Sequence, residues 1–192
     1  MKTDKFQNKY RIPSARAVWH DYNGGDYFIT ICTAKKMHYF GEISNGEMLL
    51  NGLGQKFDEL ILNIKNHNPY CEIPVYQIMP NHVHLIVCVD GGDAVCGDVA
   101  CRDAACHVDT DDKCTVKNEK MQDIAEECGL LSTAMGGLKS ALTKYANLNK
   151  IKFGWQTRFH DHIIRSQDEM NMIATYIENN VTAWENDKFY TK

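Results

Sequence analysis

No window of the 192-residue sequence approaches the run of about 20 apolar residues that a membrane-spanning helix needs. The N-terminal 22 residues also lack the apolar segment of an export signal. From these absences we expect a soluble, cytoplasmic protein. Because no export signal accompanies the eight cysteines, we expect reduced thiols rather than a disulfide scaffold. Cys32 and Cys88 lie in apolar runs and are expected to pack as small core residues.

The chain also lacks the net positive charge that is typical of nucleic-acid-binding proteins, since its formal net charge is −4. The charge is unevenly distributed along the chain. Residues 90–128 hold eleven acidic and four basic residues and carry −7, whereas the remainder holds 14 acidic and 17 basic residues and carries +3. Outside the acidic segment, the charge therefore does not argue against a polyanionic partner.

Apolar periodicity, turn residues and capping residues predict an alternation of strands and helices. The predicted elements are a strand at 24–33, a hairpin turning at Asn45-Gly46, a helix at 54–67 ended by Pro69, strands at 70–79 and 82–90, a helix at 129–149, and a capped helix from Ser166 to about Asn180. Residues 152–165 are interpreted as an aromatic and basic connector between the last two helices.

Residues 91–122 interrupt this order with an acidic segment that is poor in large apolar groups. Within it, a pentapeptide of the form x-D-[AV]-[AV]-C occurs three times from Gly92 to Cys106, a period too short for a folding unit. We interpret the segment as a largely disordered insert in a single domain spanning residues 1–192. A zinc module remains an alternative, although zinc sites usually use closer cysteine pairs. Its ligands would come from Cys96, Cys101, Cys106, Cys114 and His107.

Two histidines occupy the same face of the predicted strand "HVHLIVCV". Side chains alternate along a strand, so His82 and His84 point one way and the intervening valine and leucine point the other way. The two imidazoles are then about 6 to 7 Å apart along the strand, and both can reach one divalent ion. A buried histidine pair with no ligand role is the alternative.

The last predicted helix places Tyr176 and Asn180 on one face, because four residues make slightly more than one turn. Such a face can present a phenolic nucleophile beside an amide ligand. The alternative is a surface tyrosine that packs beside an asparagine near the helix end.

Taken in order, these motifs resemble a known family. The stretches "MPNHVHLIV", "WQTRFHDHIIR" and "YIENN" are similar to motifs of the REP-associated tyrosine transposases, within the single-tyrosine HUH transposases of insertion sequences. The stretch "NGGDYFITICT" resembles that family's first strand, so the likeness covers nearly the whole chain except the acidic insert. The resemblance implies an α+β, ferredoxin-like fold, in which an antiparallel sheet has helices packed on one face and the HUH motif on a central strand.

Carried over position by position, the resemblance implies that His82 and His84 bind Mg²⁺ or Mn²⁺, with Asn180 as the third ligand and Tyr176 as the nucleophile. A phenol of pKa about 10 is a poor nucleophile at neutral pH, so a metal must withdraw charge from the scissile phosphate. The absence of a G-x-x-x-x-G-K-[ST] loop agrees with strand joining that needs no ATP. The chain departs from many relatives at Asn180-Val181, where they read Asn-Pro. This difference bears on the helix end more than on the chemistry.

A second H-x-H motif precedes the tyrosine helix, and the resemblance includes its His162. We assign His162 to orientation of the site or to contact with DNA, with a packed connector histidine as the alternative. Among the cations near Trp155, we expect Lys139, Arg158 and Arg165 to contact DNA. Phosphate contacts combined with aromatic stacking suit a single strand.

The leading hypothesis is a metal-dependent transposase that nicks and joins single-stranded DNA at hairpin, REP-like sequences through a covalent 5′-phosphotyrosine. Its expected partners are DNA hairpins and no membrane, and it acts as a monomer or homodimer. The alternatives are a hairpin-binding protein that does not mobilise DNA and, less favoured, a metal-dependent nucleotide phosphodiesterase. The sequence leaves open whether Tyr176 acts in its own subunit or in a partner.

Overall fold

The structure is a computed structural model that describes residues 20–91 and 129–190. Its elements are β1 (Gly25–Cys32), β2 (Gly41–Ser44), β3 (Glu47–Leu50), α1 (Gly52–Leu62), α2 (Ile64–His67), β4 (Cys71–Ile78), β5 (His82–Val89), α3 (Leu130–Leu148), β6 (His160–Ile164) and α4 (Gln167–Glu178). The predicted insert, apart from Gly91, and its cysteine cluster lie outside the described residues. Within the described residues, no helix is long and apolar enough to cross a membrane.

Four strands form one antiparallel sheet in the order β4-β5-β1-β6, so the strand that carries both histidines is central. The predicted α+β fold is therefore confirmed. Strand β4 lies at the edge and contains Pro74, where the pairing with β5 shifts register between Glu72 and Val75. A proline is tolerated there because an edge strand does not need every N–H for pairing. Strands β2 and β3 form a separate hairpin that turns at Asn45 (φ 54°) and Gly46 (φ 79°), as predicted.

Apolar residues cover both faces of the sheet. One face of β5, including Leu85 and Val87, packs with residues of α1 and α3 such as Phe57 and Leu142 in the main core. On the opposite face, Ile86 packs with Ile164 and Ile177 in a smaller cluster. Because Ile177 belongs to α4, this cluster holds α4 against the sheet. Helices thus cover both faces rather than the one face expected, and α4 lies on the same face as the two histidines.

Two predicted segments differ in detail from the structure. The segment interpreted as a connector, 152–165, contains strand β6, which pairs with β1 and extends the sheet. The single helix predicted at 54–67 is two helices, because the backbone leaves helical geometry at Asn63 (φ −93°, ψ 10°). The Asn63 amide donates to the carbonyl oxygen of Glu59 at 2.8 Å and stabilises this end of α1.

The described cysteines, Cys32, Cys71 and Cys88, are free thiols. Cys32 and Cys71 are buried and Cys88 is half-buried. The core role expected for Cys32 is confirmed, whereas Cys88 borders the smaller cluster beneath α4.

Gly91 and Gly129, which flank the segment 92–128, both lie beside Asn23. A Cβ on Gly91 would be 2.1 Å from the carbonyl oxygen of Asn23, and one on Gly129 would be 3.5 Å from its side-chain oxygen. The backbone N–H of Leu130 donates to that same oxygen at 3.0 Å. The chain therefore leaves and re-enters the described fold at one place. This place is the end of the sheet opposite His82, because Gly25 pairs with Val89 and Cys32 with His82.

Candidate active site

The two histidines stand at the beginning of β5 on the face that α4 covers. His82 is fully buried and His84 is 1% exposed. Their Nε2 atoms are only 3.1 Å apart, although the residues are two positions apart along the strand. The side chains therefore converge on one point in front of the sheet.

Asn81 fixes the orientation of the His82 ring. Its side-chain nitrogen donates to the carbonyl oxygens of Phe189 (2.9 Å) and Lys36 (3.3 Å), so its oxygen faces His82. That oxygen lies 2.8 Å from Nδ1 of His82 and can only accept. Nδ1 of His82 therefore carries the proton, and Nε2 presents a lone pair. Such outer contacts are typical of metal-binding histidines.

Thr30 occupies the corresponding position behind His84. Its hydroxyl lies 2.9 Å from Nδ1 of His84, and the two residues are directly paired between β1 and β5. Burial lowers the pKa of both imidazoles well below the usual value, and the charge of Lys188 adds to the effect. Both rings are therefore neutral at physiological pH, which is the form that binds metals.

Tyr176 projects from α4 toward these rings. Its hydroxyl lies 3.4 Å from Nε2 of His84, and its ring is edge-on to Phe28 at 6.1 Å between centroids. The side chain is 45% exposed, so it contacts the histidine while remaining open to solvent. Burial raises the pKa of the phenol, as does the charge of Asp187, while the neighbouring Asn180 amide acts in the opposite direction. The phenol is thus protonated at neutral pH.

Asn180 lies in the turn after α4, two residues beyond the end of the helix. It is 2% exposed, and neither its side-chain oxygen nor its nitrogen has a hydrogen-bond partner among the described residues. Leaving a buried polar group unpaired costs about 1–3 kcal/mol. Because the Asn180 amide is buried and unpaired within the described part of the chain, its oxygen is available to bind a ligand beside Tyr176.

Asp187 joins the site although the sequence analysis did not identify it. One ligand atom from each of His82, His84 and Asp187 lies within 4.8 Å of the others. The N–H of Phe189 donates to Oδ1 of Asp187 at 2.6 Å, and the Phe189 ring packs against His82 at 4.6 Å between centroids. No motif or spacing in the sequence distinguishes Asp187, which approaches the histidines only because the chain folds back after α4.

The donor atoms fit a divalent ion. Two neutral imidazoles and a carboxylate converge, and a buried amide oxygen without a partner lies beside the tyrosine. Nitrogen and oxygen donors of this kind bind first-row divalent metals, and carboxylate and amide oxygens also suit Mg²⁺. Three protein ligands would leave coordination positions for a substrate.

The four predicted DNA-binding residues lie on α3, on β6 and in the segments that flank β6. His162 on β6 lies 2.8 Å from Glu169 and pairs with Phe28 across the strands. The Arg165 backbone bonds Glu169, and Arg158 is an exposed residue with φ 70° between Trp155 and β6. Lys139 lies on α3. The structure thus brings His82, His84 and Tyr176 together.

Comparisons with known proteins agree with this architecture. No family model matches the chain. An uncharacterized protein of Haemophilus influenzae is 30% identical over 179 residues, which are 92% of this chain and 92% of that protein. A solved structure of a REP-associated tyrosine transposase bound to a REP hairpin is similar with a TM-score of 0.52 and 17% identity, covering 88% of this chain and 73% of that chain. This likeness shows a shared fold. A Deinococcus radiodurans candidate transposase has a TM-score of only 0.37 at 16% identity, covering 85% and 95% of the two chains.

Proposed function

Since the chain belongs to one family with the Haemophilus influenzae protein and has the fold of the hairpin-bound transposase, we propose that it is a metal-dependent transposase that nicks and joins single-stranded DNA at hairpins. The proposal rests on one distance, the 3.4 Å between the Tyr176 hydroxyl and Nε2 of His84. In it, Tyr176 is the nucleophile, and His82, His84 and Asp187 hold the metal. The side-chain oxygen of Asn180 is a further ligand.

The protein residues bind and orient the reacting groups. Asn81 and Thr30 hold the two imidazoles through their Nδ1 atoms, with both Nε2 atoms directed at one point. Mg²⁺ or Mn²⁺ bound there would supply Lewis-acid polarisation of the scissile phosphate. Phe28 packs edge-on against the Tyr176 ring and restricts the direction from which the phenol can attack phosphorus.

The chemical step exchanges one phosphodiester for another. The Tyr176 oxygen forms a bond to phosphorus and releases its proton to solvent. The bond from phosphorus to the 3′ oxygen breaks, and its electron pair leaves with that oxygen, which takes up a proton. The product is a 5′-phosphotyrosine diester and a free 3′-hydroxyl. Attack by another 3′-hydroxyl reverses the step and joins strands without ATP, because no bond energy has been lost to hydrolysis.

Tyr176 acts in its own chain in this proposal. The nucleophile, both histidines and Asp187 all belong to one polypeptide and converge without a second copy. A monomer therefore holds every protein group that the step requires.

A covalent-adduct experiment tests the proposal. Wild-type protein is incubated with Mn²⁺ and 3′-end-labelled hairpins made from the inverted repeats that flank its gene, because the fragment that stays on Tyr176 carries the 3′ end. The products are separated on a denaturing gel. We expect a protein–DNA adduct that Tyr176→Phe abolishes. Tyr145→Phe, which removes a hydroxyl on α3 away from the histidines, should retain it.

Two other results would assign a different function. Hairpin binding without an adduct in wild-type protein, with either Mg²⁺ or Mn²⁺, would indicate a hairpin-binding protein. Cleavage that persists in Tyr176→Phe would indicate a phosphodiesterase.

A further inference from the structure

A groove along α3 lies outside the site described above. It has a volume of about 660 Å³ and opens broadly to solvent. The lining residues are Lys139, Ser140, Thr143, Lys144, Asn147, Leu148 and Trp155. Among the described residues that line it, none is acidic. Its two lysines and three other polar side chains bring cations and hydrogen-bonding groups beside the apolar surfaces of Leu148 and Trp155.

The part of the chain that forms this groove carries charge of one sign. Residues 129–160 contain five basic residues and no aspartate or glutamate. By contrast, residues 52–67, which form α1 and α2, contain both signs, and there Lys56 pairs with Glu59 at 2.9 Å. The positive charge around the groove is therefore not neutralised by neighbours in sequence, and a polyanion is the complementary partner.

Lys139 is a partly buried cation held in place. Its Nζ donates to the carbonyl oxygen of Gln156 at 3.2 Å and lies 5.7 Å from the centroid of the Trp155 ring. The indole N–H of Trp155 in turn donates to the carbonyl oxygen of Lys139 at 3.1 Å. Burial lowers the pKa of Lys139, in line with a charge that is partly removed from water. Because the Lys139 side chain is already held in place, it loses little conformational entropy when its ammonium group contacts a phosphate oxygen.

The groove is connected to the candidate active site through the end of β1. The N–H of Gln156 donates to the carbonyl oxygen of Cys32 at 2.9 Å, and Cys32 is paired with His82 across the strands. Three lysines, Lys36, Lys139 and Lys188, act electrostatically on the Cys32 thiol, together with the acidic Asp187. Lys188 also lowers the pKa of both histidines. Lysines therefore lie close to Cys32 both near the histidines and near the groove.

We propose that this groove binds the sugar–phosphate backbone of the single-stranded DNA that flanks the hairpin. Lys139 and Lys144 contact phosphates, and the contact is independent of sequence because it involves backbone charge rather than base edges. This inference rests on the proposed function, since it assigns a path to the strand whose cleavage Tyr176 performs. The new element is the place of contact, a groove on α3 outside the candidate active site.

Salt-dependent binding of an unstructured strand tests the groove separately from catalysis. The probe is a fluorescent oligothymidine of about 20 nucleotides, and its affinity is measured by anisotropy over a range of salt concentrations. For the double variant Lys139→Gln/Lys144→Gln we expect the slope of log K against log salt to decrease by about 1.4, and affinity at roughly 0.1 M salt to fall about 25-fold. Lys144→Gln alone, at an exposed position, should reduce the slope by about 0.7.

The double variant Lys56→Gln/Lys65→Gln is the matched control, because it removes the same charge from α1 and α2. It should bind the strand like wild-type protein. The inference is overturned if the groove variants keep the wild-type slope, if the control loses as much affinity, or if wild-type protein does not bind oligothymidine. Stronger binding of a duplex of equal length would assign the groove to double-stranded DNA. Absence of the Tyr176 adduct would count against the proposed function alone, since the binding assay involves no cleavage.

Discussion

Nε2 of His162 lies 2.8 Å from Oε1 of Glu169, and this contact joins strand β6 to the first turn of α4. The second carboxylate oxygen accepts the backbone N–H of Arg165 at 2.8 Å, while Ser166 caps the helix by accepting the N–H of Glu169. In a capping box, the glutamate would instead bond the N–H of the cap residue itself. Glu169 therefore attaches the start of α4 to the sheet, two turns before Tyr176.

Glu169→Gln should weaken the fold at neutral pH and have little effect in acid. Hydrogen bonds from His162 and from the backbone of Arg165 hold the pKa of the Glu169 carboxyl below its usual value. A lowered folded-state pKa gives stability that is present above the unfolded pKa, about 4.3, and is lost as the pH falls through the folded value. The free energy of unfolding, measured with urea at a series of pH values, should be higher for wild-type protein than for Glu169→Gln at neutral pH. This difference should shrink below about pH 4.

Glu178→Gln is the control for this prediction, because it removes the same charge at the exposed end of the same helix. It should leave the free energy of unfolding nearly unchanged at neutral pH. A wild-type advantage over Glu169→Gln that is equal at every pH would contradict the assigned role of the carboxylate.

Thr30→Val should weaken metal binding without changing the size of the side chain at this buried position. Valine cannot bond Nδ1 of His84, so the ring loses the contact that orients it. Loss of such outer contacts typically lowers metal affinity by about 10–100-fold. Mn²⁺ titration calorimetry measures the change, and Thr30→Ser, which keeps the hydroxyl, should remain near wild type. Equal affinities in the valine and serine variants would show that the hydroxyl does not support His84.

Asp187→Asn should lower Mn²⁺ affinity by roughly tenfold or more, because it removes the negative charge from the proposed ligand set. The amide oxygen can still accept the N–H of Phe189, so the local backbone should hold its conformation. Paramagnetic resonance of free Mn²⁺ measures the affinity. Glu185→Gln, a charge change at an exposed residue two positions earlier, should have no comparable effect. If both variants bind Mn²⁺ equally, Asp187 is not a ligand.

Local patterns predicted much of the fold. Alternation along "HVHLIVCV" assigned His82 and His84 to one face, because side-chain direction in a strand follows directly from position. The hairpin at Asn45-Gly46 and the cap at Ser166 were predicted for the same reason, since turn and cap chemistry depends on a few adjacent residues. These features need no knowledge of distant contacts.

Features that depend on distant contacts were not predictable from the sequence. Strand β6 has five residues with exposed histidines and becomes a strand because β1 offers a free edge for pairing. The face on which α4 packs depends on the contact of Ile177 with Ile86 and Ile164 across the sheet. Asp187 reaches the histidines only through the turn after α4, which no periodicity encodes.

The shared position of Gly91 and Gly129 beside Asn23 has an evolutionary consequence. A segment whose two ends meet at one point can change in length without moving either end, and each doubling of a flexible loop costs only about 0.6 kcal/mol. We therefore expect the body of the fold to tolerate gains and losses of sequence between these glycines. Because the junction lies at the opposite end of the sheet from His82, such changes should leave the geometry of the histidines and Tyr176 unaltered.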